Sequence, residues 1–211
     1  MSTTRTRRAA LMAATVTAAL VLAACGGSDS DSGDAGHGSS HGTSTSPSAD
    51  TAAAHNAQDV SFAQGMIPHH RQALEMAELA ADRASSAEVK SLAARIEKAQ
   101  DPEIKTMSGW LKSWGEEVPE AGASMPGMDH GSSGMPGMMD DADMEMLGKA
   151  SGEDFDTMFL TMMVEHHEGA IDMAGTEKTK GRYAAATAMA DDIITGQTAE
   201  ITEMNKLLGK G

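Results

Sequence analysis

The chain has 211 residues, of which 31 are acidic and 16 basic, for a net charge of −15. Such an excess of negative charge repels nucleic acid and draws cations, so no nucleic-acid partner is expected. Aromatic residues make up only 3% of the chain, whereas 18 residues are Met and one is Cys; an internal disulfide or a multi-thiolate metal site is excluded, and any core rests on Leu, Ile, Val, Ala and Met.

The N-terminus reads as an address. Arg5, Arg7 and Arg8 precede an apolar run from Ala9 to Ala24 that is too short for an ordinary membrane span. Leu22-Ala23-Ala24-Cys25 resembles a bacterial lipobox. On that reading residues 1–25 are a lipoprotein signal peptide, Cys25 carries the lipid, and the protein is anchored on the outer face of the cytoplasmic membrane. Thr6-Arg7-Arg8 leaves Sec and twin-arginine export both open. All 31 acidic residues but only 13 basic ones lie beyond Cys25, so the exported chain carries a charge of −18. Residues 26–57 are Gly, Ser, Asp, Thr and Ala with almost no large apolar side chain, and are expected to form a disordered tether holding His37, His41 and His55.

From residue 58 the pattern becomes helical. Val60, Ala63, Ile67, His70, Leu74, Ala77 and Ala81 follow a three-four spacing, predicting a helix from Asp59 to about Arg83. Ser85 with Glu88 reads as a capping box opening a second helix to Trp114. Gly, Pro and Met interrupt residues 115–139; a short helix is expected from Asp140 or Asp141 to Lys149. A third long helix is expected over Asp154–Lys178, a turn at Gly181-Arg182, and a fourth helix to about Leu208.

The chain also repeats itself at an offset of 97 residues. Residues 62–77 return as 159–174 with seven of sixteen positions identical, among them Met66/Met163, His69/His166, His70/His167, Ala73/Ala170 and Met76/Met173. Gln100, Glu103 and Met107 return as Gln197, Glu200 and Met204 at the same offset. A duplicated unit follows: repeat one over 58–114, a Met-rich crossover over 115–150 and repeat two over 151–208. The expected fold is all-α, a four-helix bundle of two duplicated helical hairpins with a long central crossover.

The repeated positions are largely metal-ligating types. Imidazole with thioether suits copper, above all soft Cu(I). His70 and His167 lie on core stripes. His69 and His166 lie on neighbouring stripes, each between two methionines: Met66 and Met76, Met163 and Met173. Pairing across each hairpin turn sets His70 opposite Gln100 and His167 opposite Gln197, with Glu103 and Glu200 nearby as partners for the second imidazole nitrogen. Gln100, Glu103, Met107, Gln197, Glu200 and Met204 are thus supporting or secondary ligand candidates. A Met stripe on a helix is more often core filling than ligation; two matched His pairs with matched methionines favour ligation. Pro68 and Pro102 fall at the histidine level of the first half only, which makes the two half-sites unequal. Histidine ligands must be deprotonated, so the stabilisation by bound metal is expected to shrink as pH falls through about 6.5.

The crossover adds Met125-Pro-Gly-Met128-Asp-His130 and Met135-Pro-Gly-Met138. Met125, Met128, His130, Met135 and Met138 are expected to form a mobile, thioether-rich copper collector.

These blocks together resemble the family called domain of unknown function 305, over about residues 57–208. The resemblance implies a secreted, ferritin-like bundle, in a family with copper-binding members. The Glu-x-x-His pairs of ferritin-like di-iron sites are missing, which disfavours an iron oxidase. The expected function is copper binding for sequestration or handover, as Cu(I), Cu(II) or both, with no organic cofactor and no catalysis. A copper- or iron-dependent oxidase and a cell-envelope module with structural histidines are the alternatives.

Overall fold

A computed structural model describes residues 54–120 and 135–210. Cys25, His37, His41, Met125, Met128 and His130 lie outside the described residues. Five helices follow in order: α1 (Ala57–Arg83), α2 (Ala87–Trp114), α3 (Asp141–Lys149), α4 (Gly152–Lys180) and α5 (Ala184–Leu207). α1 pairs with α2 and α4 with α5, while α1 packs across the bundle on α4 and short α3 touches both. The architecture is the all-α bundle of two hairpins that the duplication implies. Among the described residues no helix is long and apolar enough to cross a membrane.

Local chemistry fixes the helix starts. Asn56 caps α1 and closes a reciprocal capping box with Asp59, so the helix begins two residues before the expected Asp59. His55, counted with the tether in the sequence reading, stacks on Trp114 with centroids 4.4 Å apart. Ser86, not Ser85, is the N-cap of α2 and accepts from the Val89 amide. Gly115 ends α2 at a φ of 77°, the left-handed conformation that suits glycine at a helix C-terminus. α1 and α2 both run unbroken through Pro68 and Pro102.

Ser85 is withdrawn from capping by a longer-range bond. The Asp156 carboxylate accepts from the amides of Ser85 (3.1 Å) and Ser86 (2.9 Å) and from the Ser85 hydroxyl (2.5 Å). Asp59, its mate 97 residues earlier, accepts from the amides of Arg182 (3.0 Å) and Tyr183 (2.9 Å). Each repeat therefore clamps the hairpin turn of the other. These acids sit at the two ends of the bundle and tie the hairpins together through charge-assisted bonds.

The clamps are not equivalent. Beside Asp59 lies Glu177, fully buried; its mate in the first half is Ala80. Burial first, and then Asp59, pushes the Glu177 carboxyl up to about 8. Burial opposes the charge on Asp59, but Glu177 and the amides of Tyr183, Asn56 and Arg182 prevail and hold its carboxyl below the usual range. Glu177 is thus the protonated member of the pair at neutral pH.

The apolar core falls into two clusters. One holds Phe62, Ala63, Met66, Ile67, Met107, Leu111, Ala170, Ala174 and Ile193, with Met173 packed against it. The other holds Ala73, Met76, Leu92, Ile96, Phe155, Phe159, Met162, Met163 and Met204. The internal repeat exchanges them: Phe62, Met66 and Met107 lie in one, and Phe159, Met163 and Met204 in the other.

Two outcomes check the clamps. Asp156→Ala leaves two amides and a hydroxyl without their acceptor and is expected to cost about 2–3 kcal/mol of stability, measurable by urea unfolding. Glu177 binds its proton more tightly folded than unfolded, so its contribution to stability is complete below about 4.5 and is lost as pH rises through about 8. Glu177→Gln should therefore reduce the decline in melting temperature between pH 6.5 and 8; an unchanged decline would show that Glu177 is ionised in the fold.

Candidate functional site

Between the two apolar clusters lies a polar layer. His69, His70, His166 and His167 are fully buried, and Gln100 and Gln197 are 2% and 5% exposed. Adjacent residues on a helix point about 100° apart, so each His pair serves two directions. His70 turns to α2 and His167 to α5. His69 and His166 turn towards each other across the α1–α4 contact, with ring centroids 3.8 Å apart and planes inclined by 41°. Buried Ala73 and Ala170, one turn along each helix, are small enough to permit that approach.

Each outward-directed ring is anchored. His70 Nε2 donates to Glu103 Oε2 at 2.7 Å, and His167 Nε2 donates to Glu200 Oε2 at the same distance. Each glutamate thus holds the second imidazole nitrogen, as the hairpin pairing predicts, while Gln100 makes no side-chain bond to its histidine. The two glutamate side chains are 24% and 21% exposed, so each bridges the layer to solvent. His69 Nε2 donates to the carbonyl of Pro136 at 3.0 Å. A carbonyl only accepts, so the hydrogen is fixed on Nε2.

What remains is a set of buried donors and acceptors with nothing to bind. Nδ1 of His69, His70, His166 and His167 has no partner, nor has His166 Nε2, either side-chain terminus of Gln100, or Oε1 of Gln197. Buried polar atoms are nearly always paired, and this many orphans in one layer point to an occupant. Nε2–H held by carboxylate or carbonyl with Nδ1 left free is also how protein frameworks orient imidazole for a metal. Among the described residues no three His, Cys, Asp or Glu side chains already converge as a metal-holding group. The donor sets that fit are therefore mixtures of imidazole with the flanking thioethers. Met66 and Met107 belong to one apolar cluster, and Met163 and Met204 to the other. Met76 lies in the second cluster, and Met173 packs against the first.

Burial sets the charge state of the central pair. Desolvation, reinforced by His70, takes His69 down to about 3 despite its bond to Pro136. Burial first, and then His69, His167 and His70, hold His166 well below the usual imidazole value. The expectation that ligation fades through pH 6.5 is corrected for this pair: the rings stay neutral, with lone pairs available, far into the acid range.

The second Met-Pro-Gly-Met unit is docked, which corrects the mobile collector for residues 135–139; residues 125–130 lie outside the described residues. Gly137 adopts a φ of 74°, and a Cβ there would meet the Glu165 carbonyl at 2.5 Å. A Cβ on Gly169 would lie 2.0 Å from the Pro136 carbonyl oxygen. The turn thus packs backbone against backbone on α4, beside His166. Gln72, the mate of Gly169 in the first half, seals the other side: its amide donates to the Met139 carbonyl and accepts from the Met139 amide, both at 2.8 Å. Met135 and Met173 meet over Gly65, one turn before His69; a Cβ on Gly65 would be 3.9 Å from Met135 Sδ and 3.5 Å from Met173 Cε. Met138 is half-buried. The sequence signals missed were Asp59/Asp156, repeated at the 97-residue offset, and the Gly169/Gln72 exchange that receives the turn.

Comparison with known proteins agrees with this arrangement. The family model described as "Domain of unknown function (DUF305)" matches residues 59–208. A DUF305 protein from Streptomyces coelicolor, described as secreted, is 33% identical over 72% of this chain and 93% of its own, with a TM-score of 0.64. A DUF305 fragment from Deinococcus radiodurans is 29% identical over 74% and 98%, with a TM-score of 0.65. CopM in its Cu(I)-bound form is 34% identical over 71% and 94%, with a TM-score of 0.57; it is also known in Cu(II)-bound and Ag-bound forms. No curated protein matches the chain. With its family model covering the whole bundle, this chain belongs to the DUF305 family.

Proposed function

We propose that this protein is an exported copper-binding protein that sequesters or hands over the ion through the buried His/Met layer. The observation that carries this reading is the set of orphaned imidazole nitrogens at the bundle centre. His69 Nδ1 and both ring nitrogens of His166 are unpartnered, and Nδ1 of His70 and His167 adds two more whose orientation Glu103 and Glu200 hold. Met66, Met76, Met163 and Met173, with Met107 and Met204, offer thioether sulfur around them. Imidazole accepts either oxidation state, and thioether favours Cu(I). CopM, a family relative with Cu(I)-bound, Cu(II)-bound and Ag-bound forms, supports the same cargo.

The role is holding, not turnover. All four histidines are fully buried, a setting that suits an ion arriving by ligand exchange better than an organic substrate. Among the described residues, the carboxylates bonded to the layer, Glu103 and Glu200, are each engaged through Oε2 in orienting a histidine. The lipobox at Cys25 and the strongly negative exported chain fit a membrane-tethered protein that gathers cations outside the cytoplasm.

Replacing His69, His70, His166 and His167 with Gln together should abolish the tightest copper binding, read by titration against a competing chelator. Replacing His37 and His41 should leave it unchanged. Tight binding that survives the first set would make the layer structural. Changing Met125, Met128, Met135 and Met138 to Leu keeps apolar bulk and removes sulfur. Cu(I) capacity should fall while Cu(II) bound near the imidazoles is largely spared; equal loss of both states would show that crossover and bundle form one shared site.

A further inference from the structure

A groove of about 710 Å³ runs between α3 and α4, with Met146, Met158 and Met162 among its lining side chains. The three side chains differ in exposure. Met146 is 51% exposed, Met158 is half-buried and Met162 is 8% exposed. Met146 is one of only two large apolar side chains exposed among the described residues, and core packing gives no reason for it, because α3 makes its core contacts through Leu147 and Met144. Met158 and Met162 are four residues apart on α4 and share one helical face. His166 is four residues further along that row, about 6 Å higher at 1.5 Å per residue.

The rim has the electrostatics of a cation site. Asp154 contributes a carboxylate. Lys149, the basic group there, is paired with Glu145. The Thr161 hydroxyl is committed to the Thr157 carbonyl at 2.8 Å. A hard divalent ion demands several oxygen ligands, which this groove does not assemble. A soft monovalent ion is content with few neutral sulfur donors.

We propose that Met146, Met158 and Met162 form a separate thioether capture site for a soft monovalent cation, Cu(I) or its mimic Ag(I), one helical turn below His166. The assignment of copper as cargo rests on the function proposed above; the site itself rests on the groove. Met146 meets the ion at the surface, Met158 and Met162 complete a three-sulfur shell, and the row along α4 leads from that shell to the buried imidazoles. Ligation is ligand exchange only, so the ion keeps its oxidation state throughout.

The test counts Ag(I) bound to the full-length chain by native mass spectrometry. The M146L/M158L/M162L variant should lose one equivalent relative to the parent and keep its Cu(II) binding. The H69Q/H166Q variant should keep the groove equivalent and lose a different one. A Leu variant that binds as many Ag(I) ions as the parent overturns the capture site. An H69Q/H166Q variant that loses none overturns the central copper site and leaves the groove standing. Should the Leu variant fail to fold, peroxide oxidation of the H69Q/H166Q protein gives the same answer. Saturating Ag(I) should protect Met146, Met158 and Met162 together from sulfoxide formation; equal oxidation with and without Ag(I) overturns the proposal.

Discussion

The structure turns on placing four imidazoles and two glutamines in the middle of an otherwise apolar bundle. Taking polar groups out of water without partners costs free energy at each atom. A bundle built only for stability would fill this layer with Leu. The neighbouring elements instead spend their bonds on orienting it: Glu103 and Glu200 hold two rings by Nε2, and the Pro136 carbonyl holds a third. The inward nitrogens are left bare. A ligand that satisfies them stabilises the folded form alone, so the free energy stored in the layer becomes affinity. Burial also keeps the central rings neutral, and neutral imidazole is the ligating form.

Duplication explains how such a layer arises at the centre. Each repeat carries a His pair on its first helix and a Gln/Glu pair on its second, and the pseudo-symmetric contact of α1 with α4 brings the two sets together. The Asp59 and Asp156 clamps lie far from the layer yet fix the register of that contact by holding each other's turns. The symmetry is broken where one chain segment can occupy only one side. Gly169 opens a backbone-width space for the Pro136-Gly137 turn, whereas Gln72, its mate, clasps Met139. His69 is therefore tethered to the crossover, while both nitrogens of His166 remain unpartnered. The two halves of the layer are chemically distinct, as Pro68 and Pro102 against Glu165 and Ala199 already suggest in the sequence.

Much of this is legible in the sequence alone. The three-four spacing and the 97-residue offset carry the helices and the hairpin order, because amphipathic periodicity is set by the backbone and not by partners. The His pairs are visible for a related reason: His70 and His167 interrupt core stripes, and a buried polar side chain must find a partner. The docked turn was hidden because Met-Pro-Gly-Met reads as loop composition, and only the missing Cβ of Gly169 on a helix 32 residues away makes room for it. Asp156 was hidden because an acid in the first turns of a helix already has a local explanation in the helix dipole. Glu177 was hidden because its repeat mate is Ala80, so no matched pair drew notice. The groove depends on where α3 settles against α4, which no local pattern specifies.

The most direct measurement is nitrogen NMR of the histidine rings, recorded with and without diamagnetic Ag(I). Ligation at the layer predicts large shifts of Nδ1 in His69 and of a ring nitrogen in His166. The Nε2–H groups facing Pro136, Glu103 and Glu200 should persist. Ring nitrogens that stay at their metal-free positions while Ag(I) is bound elsewhere would contradict the central copper site and leave the layer as buried structure alone.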